Sequence, residues 1–374
     1  MSERLVGAGD TVDAPFGDTV DVLLVQLGST EGLRVADEQL VASLRRAGVH
    51  VVVAPAARPS EIGTLMLTDL RWARAARHAA VEALAQLRER PPRSVIYSTT
   101  TASLLWPLPG AIRFDSVSAA NRPGRHGLWQ RPLERRRLRE APLLLPSSAG
   151  ALAEAAAVVP GCERRALVVP SPIANRFCDK GSLPQLAGER HLAAVTYAAN
   201  PHKKGLDRVL TAWRAVHRPG ERLAIVGVTP ERLRQLGFAA DDESVEALGM
   251  LAQDAYHALL RRARVFICAP RREDYGLVQL EALAAGCQLV TTVAPGPYVA
   301  LPIVRQLDPR LVGENLGTAL RTALDSPGDD YAARAAALVE PFTVAAVDRL
   351  VAEELLPRLV GGDRFSEGSR SSLR

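Results

Sequence analysis

Arg271-Arg272-Glu273-Asp274-Tyr275-Gly276-Leu277-Val278-Gln279-Leu280-Glu281-Ala282-Leu283-Ala284-Ala285-Gly286 is the stretch from which the fold of this chain can be read. Two carboxylates, Glu273 and Glu281, stand with seven residues between them. A glycine and a helix-forming run follow the first. Arg264-Val265-Phe266-Ile267-Cys268-Ala269 precedes the stretch and Gln288-Leu289-Val290-Thr291-Thr292 follows it. Both flanks are short, apolar and rich in β-branched residues, the pattern of buried strands. The order is strand, loop, helix, strand, with acids at the mouth and on the first turns of the helix.

A loop after a parallel strand opens at the carboxyl edge of the sheet, where α/β folds bind ligands. Gly276 begins the helix without a side chain, so a ligand can come close to its backbone. The N–H groups of Gly276, Leu277 and Val278 lack helical partners and lie at the positive end of the helix dipole, a seat for phosphate. Glu281, just over one turn further in, is placed to accept two hydrogen bonds from a ribose diol. Glu273, ahead of the helix, is placed to meet sugar hydroxyls. An acidic first turn on a surface helix would account for either glutamate alone. Strand, loop, glycine, helix and small-residue exit together point to a site for an anionic, hydroxyl-rich ligand such as a nucleotide-sugar.

These residues resemble the E-x7-E signature of retaining GT-B glycosyltransferases, in particular the glycosyltransferase family 4 group. Against the usual E-G-F-G-L-x-x-L-E-A-M-A-x-G, this chain has E-D-Y-G-L-V-Q-L-E-A-L-A-A-G from Glu273 to Gly286. Asp274 stands at the common glycine, where it adds a negative charge beside the donor sugar. Tyr275 stands at the common phenylalanine. The resemblance implies two doubly wound, parallel-sheet, Rossmann-like α/β domains facing each other across a cleft. It implies transfer of a hexose-type sugar from a nucleoside diphosphate sugar to an acceptor hydroxyl of a glycan, lipid or small metabolite, with retention. No cofactor and no metal are expected, since the donor is itself a substrate.

Arginine supplies almost all of the positive charge; the lysines are Lys180, Lys203 and Lys204. Two of them stand in Asn200-Pro201-His202-Lys203-Lys204-Gly205, between a strand pattern and a helical one. A lysine kept where arginine is the rule marks a need for a compact ammonium. At a ligand edge it would stabilise charge developing on a leaving group; a solvated turn capping a helix is the plainer alternative. In resembling proteins an arginine and a lysine clamp the diphosphate in an R-x(4–5)-K-G element. Lys204-Gly205 matches its end, while Ala198, Ala199 and Asn200 occupy the places of the arginine. His202 or Lys203 would then substitute, or an arginine would arrive from elsewhere.

The resemblance also assigns Gly227 to the turn beneath the donor and Gly249 to the turn near the nucleobase. It places Gly28 and Gly32, which flank the first glycine-bearing loop, near the donor phosphate and acceptor. That loop has no histidine, the base of many inverting relatives, in agreement with retention. Asp115 ends a strand pattern at the ligand edge. The resemblance gives it acceptor positioning, and a helix N-cap is the other reading. His126 lies in a polar loop and reads as exposed.

A length of 374 residues, 47% of them apolar, suits two domains with separate cores. Strand patterns at 21–27, 49–54, 94–98, 111–115, 143–147 and 167–170 alternate with helical ones at 35–47, 70–90 and 149–158. A Pro/Gly/Ser-rich linker covers 171–190, and a second strand series follows at 193–198, 222–226, 244–247, 265–269 and 288–292. The expected organisation is an acceptor domain over 19–172, a donor domain over 190–344, a helix over 345–360 crossing back to the first domain, and a disordered tail over 361–374.

No apolar run is long enough for a transmembrane helix, and residues 1–18 are too polar and acidic for a signal peptide. Cys162, Cys178, Cys268 and Cys287 have neither metal spacing nor the look of a disulfide framework, so a cytoplasmic setting is expected. A net charge of +5 with sparse aromatics argues against nucleic acid. It suits an anionic small ligand or weak peripheral contact with an anionic membrane face. Arg131, Arg135, Arg136, Arg137 and Arg139, with Trp129 and Leu133, are candidates for that contact. A solvated helix face paired to Glu134 and Glu140 is the alternative. A nucleotide-sugar epimerase of the same fold, a non-catalytic partner subunit and a nucleotide-binding regulator are the rival functions.

Overall fold

The computed structural model describes residues 20–59, 64–122, 124–173, 190–238 and 242–360. The first sheet holds β1 (Val22–Gln26), β2 (Val51–Pro55), β3 (Ser94–Tyr97), β4 (Ala111–Phe114) and β5 (Leu144–Pro146), in the order β2-β1-β3-β4-β5. The second holds β6 (Leu192–Tyr197), β7 (Leu223–Val226), β8 (Val245–Ala247), β9 (Ala263–Cys268) and β10 (Gln288–Thr291), in the order β10-β9-β6-β7-β8. Every pairing is parallel. Strands covered by helices on both faces must be apolar without alternation, and every residue of β3, β4, β5 and β7 is buried.

In each sheet the strand order reverses once, between β1 and β3 in the first and between β6 and β9 in the second. The loops leaving such a pair of strands diverge to opposite faces and leave a crevice at the carboxyl edge. Two doubly wound lobes of this kind make the α/β architecture expected from the sequence.

One face of the first sheet is covered by Trp72, Ala76 and Ala80 of the helix Leu65–Gln86 and by Leu138. The other is covered by Leu40, Val41 and Leu44 of the helix Glu31–Arg46. Val347, Val351, Leu355 and Leu359, near the end of the described chain, pack into this second face. Steps of four overrun the 3.6-residue turn of an α-helix, so such a stripe would wind away from its partner. A π turn at Val351–Leu355, between the helices Val344–Leu350 and Leu356–Val360, takes up the excess and keeps the stripe on one side. Arg46 clamps the same segment through Asp348, at 2.7 and 2.8 Å. The chain therefore crosses between lobes twice, and the crossings are tied where Ile173 N–H donates to the Phe342 carbonyl at 2.8 Å.

Several expectations shift. Residues 167–170 are not a strand. Leu167 and Val169 donate to the carbonyls of Leu144 and Pro146, but β5 stops at Pro146 and Ser148 already caps the next helix, so the ladder has no further acceptor. Gly32 lies inside the first helix rather than in the loop, because Thr30 caps that helix by accepting from Leu33 N–H at 3.3 Å. The helix expected at 70–90 runs from Leu65 to Gln86. Residues 174–189 of the linker (with Cys178 and Lys180), residues 1–19 and the tail 361–374 lie outside the described residues. Among those described, no helix is long and apolar enough to cross a membrane.

Candidate active site

The loops after β6 and β9 meet at the point where the second sheet reverses its order. Arg271 N–H donates to the Lys203 carbonyl at 2.9 Å, binding one loop to the other. The Arg271 guanidinium grips Asp207 at 2.8 and 2.7 Å and the His202 carbonyl at 2.8 Å. Hydrogen bonding from that guanidinium holds the Asp207 carboxyl below the usual carboxylate range. In this scaffold the Lys204 ammonium reaches Glu273 Oε2 at 2.6 Å, and Gln279 Nε2 donates to the same oxygen at 3.0 Å. Glu273 and Gln279 are both buried.

A third segment, 294–299, walls this loop. Glu273 N–H donates to the Pro295 carbonyl, and Val299 N–H to the Tyr275 carbonyl, each at 3.0 Å. Gly296 has φ +106°, and a β-carbon there would lie 2.2 Å from the Glu273 carbonyl oxygen, so only glycine admits this approach. Gly276, at φ +92°, caps the helix Leu277–Ala284, and the Tyr298 ring stands 3.2 Å from where its β-carbon would be. Leu277 and Val278 follow, half-buried, in the first turn. Glu281 is buried a turn further on, with His257 Nε2 3.7 Å from its Oε1. Gly227 and Gly249 join the ends of β7 and β8, Gly227 N–H donating to the Gly249 carbonyl at 2.7 Å. The His202 ring is exposed, and it is the backbone carbonyl of that residue that takes part.

Asp274 is not a bare charge beside the loop. Lys203 Nζ lies 3.0 Å from one carboxylate oxygen and Arg272 Nε 2.7 Å from the other. Burial pushes its carboxyl up, but the two cations outweigh burial and hold it below the usual range. Arg272 then extends to the first lobe, where its Nη2 donates to Ser116 Oγ at 2.8 Å and lies 3.2 Å from Glu154 Oε1. Tyr275 makes a second crossing, its hydroxyl donating to the Ser171 carbonyl at 2.8 Å.

On the first lobe, Asp115 lies just past β4, half-buried, with no hydrogen bond or ion pair to any described residue. It is not a helix cap. The next helix, Ser118–Asn121, has Val117 at its N-cap, and Ser118 N–H is taken by Glu134 at 2.8 Å. Close by, Arg113 and Asp37 form a buried pair at 3.0 Å, and Arg113 also donates to Ser171 Oγ at 2.7 Å. Burial raises the Asp37 carboxyl to about 6 in spite of Arg113. Space is open around Gly28 and Gly32: a β-carbon at Gly32 would meet nothing within 4 Å, and one at Gly28 only Gln26 Cγ at 3.9 Å.

Lys203, Lys204, Glu273, Asp274, Gly276, Leu277, Val278 and Glu281 thus share one crevice, Asp115 adjoins Ser116, which Arg272 reaches on the other lobe, and Gly28 and Gly32 lie at the first lobe's own reversal point. Sequence reading passed over Arg272, Gln279, Gly296, His257 and the Asp37–Arg113 pair. Only Gly296 carried a local signal, the Pro295-Gly296-Pro297 punctuation. An open groove of about 440 Å³ between Gln26, Val53 and the helix residues Glu38, Val41, Ala42 and Arg45 shares none of the crevice residues. In the arginine run, Arg136 and Arg137 pair with Glu140 at 2.7 and 2.8 Å. No cluster of three or more His, Cys, Asp or Glu side chains suited to a metal occurs among the described residues.

A family model described as glycosyl transferases group 1 matches residues 190–316, the span that carries both crevice loops. Among solved structures, the chain resembles WaaG, a glycosyltransferase involved in lipopolysaccharide biosynthesis, with a TM-score of 0.67 and 16% identity over 92% of this chain and 100% of that one. It resembles sucrose-phosphate synthase from Thermosynechococcus elongatus with a TM-score of 0.69 and 15% identity, over 92% and 100%. An α,α-trehalose 6-phosphate synthase from Burkholderia multivorans gives 0.60 and 12%, over 92% and 98%. No curated protein matches the chain. The fold is GT-B, two parallel-sheet α/β lobes, and the match to the glycosyl transferases group 1 model falls in the second.

Proposed function

We propose that this protein is a retaining glycosyltransferase of the family 4 type, moving a hexose-type sugar from a nucleoside diphosphate sugar to an acceptor hydroxyl. The observation that carries the reading is the contact between Lys204 and Glu273, 69 positions apart in sequence and 2.6 Å apart in space. It brings a scarce lysine and the first signature acid together at the strand-order reversal, where α/β sheets take ligands. Residues 190–344 receive the donor and residues 19–172 the acceptor.

In this reading the N–H groups at Gly276 to Val278 and the Lys204 ammonium hold the diphosphate, and Gly227 lies beneath it. Glu281 holds the ribose, with His257 behind it. Donor arrival draws Lys204 toward phosphate, and Glu273 turns its freed carboxylate oxygen to sugar hydroxyls. As the glycosidic C–O bond breaks, Lys204 stabilises charge gathering on the leaving phosphate. The acceptor hydroxyl, positioned by Asp115, attacks on the same face and passes its proton to that phosphate. No protein nucleophile and no metal is called for. Peripheral contact with an anionic membrane is also part of the reading. It rests on Leu128, 61% exposed, in the same 124–140 stretch as exposed Arg125, Arg135 and Arg139.

The test is a panel of UDP-, GDP- and ADP-linked hexoses, watched for nucleoside diphosphate release with and without EDTA. Release is expected with at least one donor, unchanged by EDTA, and reduced at least about 100-fold by Lys204→Ala or Glu281→Ala. Release that survives both substitutions sinks the assignment. Donor epimerisation without release would favour an epimerase, and binding without turnover a partner subunit.

A further inference from the structure

Asp274 and Arg272 have so far no task in the transfer, yet both are engaged. Lys203, on the phosphate-side loop, holds one oxygen of Asp274 at 3.0 Å, and Arg272 holds the other at 2.7 Å. Arg272 uses a second nitrogen on Ser116 Oγ at 2.8 Å and Glu154 Oε1 at 3.2 Å. Glu154 in turn accepts from Ser116 Oγ at 2.7 Å and from Val117 N–H at 3.3 Å. The result is one chain of charges, Lys203, Asp274, Arg272, Glu154, from the phosphate loop of one lobe to the backbone just past Asp115 in the other. Its charges alternate and sum to zero, and three of its four members are about one-fifth exposed, with 22% for Arg272 and Asp274 and 21% for Glu154. Pairs that shielded are screened less than surface pairs.

We infer that Arg272 is a positioning residue: it straps the acceptor lobe onto the loop bearing Glu273, with Asp274 as its anchor, and so sets the acceptor residue Asp115 against the donor sugar. This rests on the proposed transferase reading. It gives Asp274 a purpose at a position where resembling chains carry glycine: a carboxylate there can hold an arginine that a glycine cannot. The strap is also distinct from a phosphate ligand, because the Arg272 guanidinium is already shared between two carboxylates, one in each lobe.

The test uses the full chain with Arg272→Gln, Arg272→Lys and Glu154→Gln, after circular dichroism has confirmed folding. Small-angle scattering without ligand is expected to give a larger radius of gyration for Arg272→Gln and Glu154→Gln than for wild type, with Arg272→Lys between. Calorimetry with UDP, GDP and ADP should leave affinity within about threefold in all variants, since the strap is not a phosphate contact. Hydrolysis of the matching nucleotide-sugar should lose about tenfold or more in kcat with KM little changed, as for a misplaced reaction partner. An Arg272→Gln variant that loses nucleotide affinity while Glu154→Gln keeps it would make Arg272 a phosphate ligand and overturn the strap. Unchanged radii in both variants overturn it as well. A wild-type protein that binds none of the three nucleotides overturns the transferase reading and the positioning role with it, whatever the radii show.

Discussion

Removing Lys204 isolates the charge at the centre of the crevice. The Glu273 side chain is 6% exposed and that of Lys204 17% exposed. After Lys204→Ala, Glu273 Oε2 keeps only the neutral amide of Gln279, at 3.0 Å. Breaking a buried pair from one side costs about 3–5 kcal/mol, because the remaining ion stays in poor solvent. The surviving amide bond puts this case near the lower end, about 3 kcal/mol. For a domain of this size that amounts to a fall in Tm of about 6–12 °C. Glu273→Gln should cost less, about 1 kcal/mol, since the better-exposed ammonium can turn to water. The double variant should cost about 2 kcal/mol, less than Lys204→Ala alone, a coupling of about 2 kcal/mol, because the stranded carboxylate has gone. Urea titrations of the four proteins, followed by circular dichroism, measure that cycle directly. Calorimetry with the nucleoside diphosphate that wild type binds should show affinity about 10–100-fold weaker for Lys204→Ala, the worth of one charge-assisted hydrogen bond. A Lys204→Ala protein that melts within 1 °C of wild type (against the roughly 6–12 °C expected) and binds nucleotide equally well would refute the reasoning.

Gly296→Ala would drive a β-carbon to 2.2 Å from the Glu273 carbonyl oxygen at a φ of +106°. A loss of about 2 kcal/mol or more in urea titration is expected, whereas Gly32→Ala, helical and with nothing within 4 Å, should gain about 0.5–1 kcal/mol. Asp37, raised to about 6 in the folded protein, binds its proton there more tightly than in the unfolded chain. Its contribution is full below pH ~4 and lost as pH rises through ~6, so wild-type stability minus that of Asp37→Asn should fall by about 2 kcal/mol between pH 4 and pH 7, measured by urea titrations along that range. Leu355→Ala, at a position with no exposed surface, should cost about 2–5 kcal/mol and speed hydrogen exchange in the helix Glu31–Arg46 before it does so in β6 or β9.

Residues whose reasons are local could be read from the sequence. Both faces of the strands are buried, so runs such as Val265-Phe266-Ile267 announce themselves without alternation. Glu273, Gly276 and Glu281 sit on one short segment, so their spacing alone describes the mouth and first turns of a helix. Lys204 stood out through the scarcity of lysine. Where the reason lies across the fold, sequence is silent. Arg272 finds Ser116 and Glu154 at separations of 156 and 118 positions, and nothing beside Arg272 in the chain hints at either. Asp274 reads as an unmatched charge until Lys203 arrives from 71 positions away. Asp115 was open to a capping role because the actual holder of Ser118 is Glu134, one helix further on. Leu167-Val168-Val169 mimics a strand, and its short partner β5, which ends at Pro146, keeps it from being one.

The apolar stripe at the end of the described chain also has a consequence in time. Arg46 and Asp348 are 302 positions apart, yet they close the same face of the first lobe. A ribosome adding about 5–20 residues per second needs on the order of 15–60 s to travel that distance. Throughout that interval the sheet face that Leu40, Val41 and Leu44 share with Val347, Val351, Leu355 and Leu359 lacks the second group, while the second lobe is made and can fold on its own sheet. The lobe synthesised first is therefore the last to be completed, and a nascent chain arrested anywhere before Val347 presents a partly open core, beside the helix Glu31–Arg46, to whatever binds unfinished proteins.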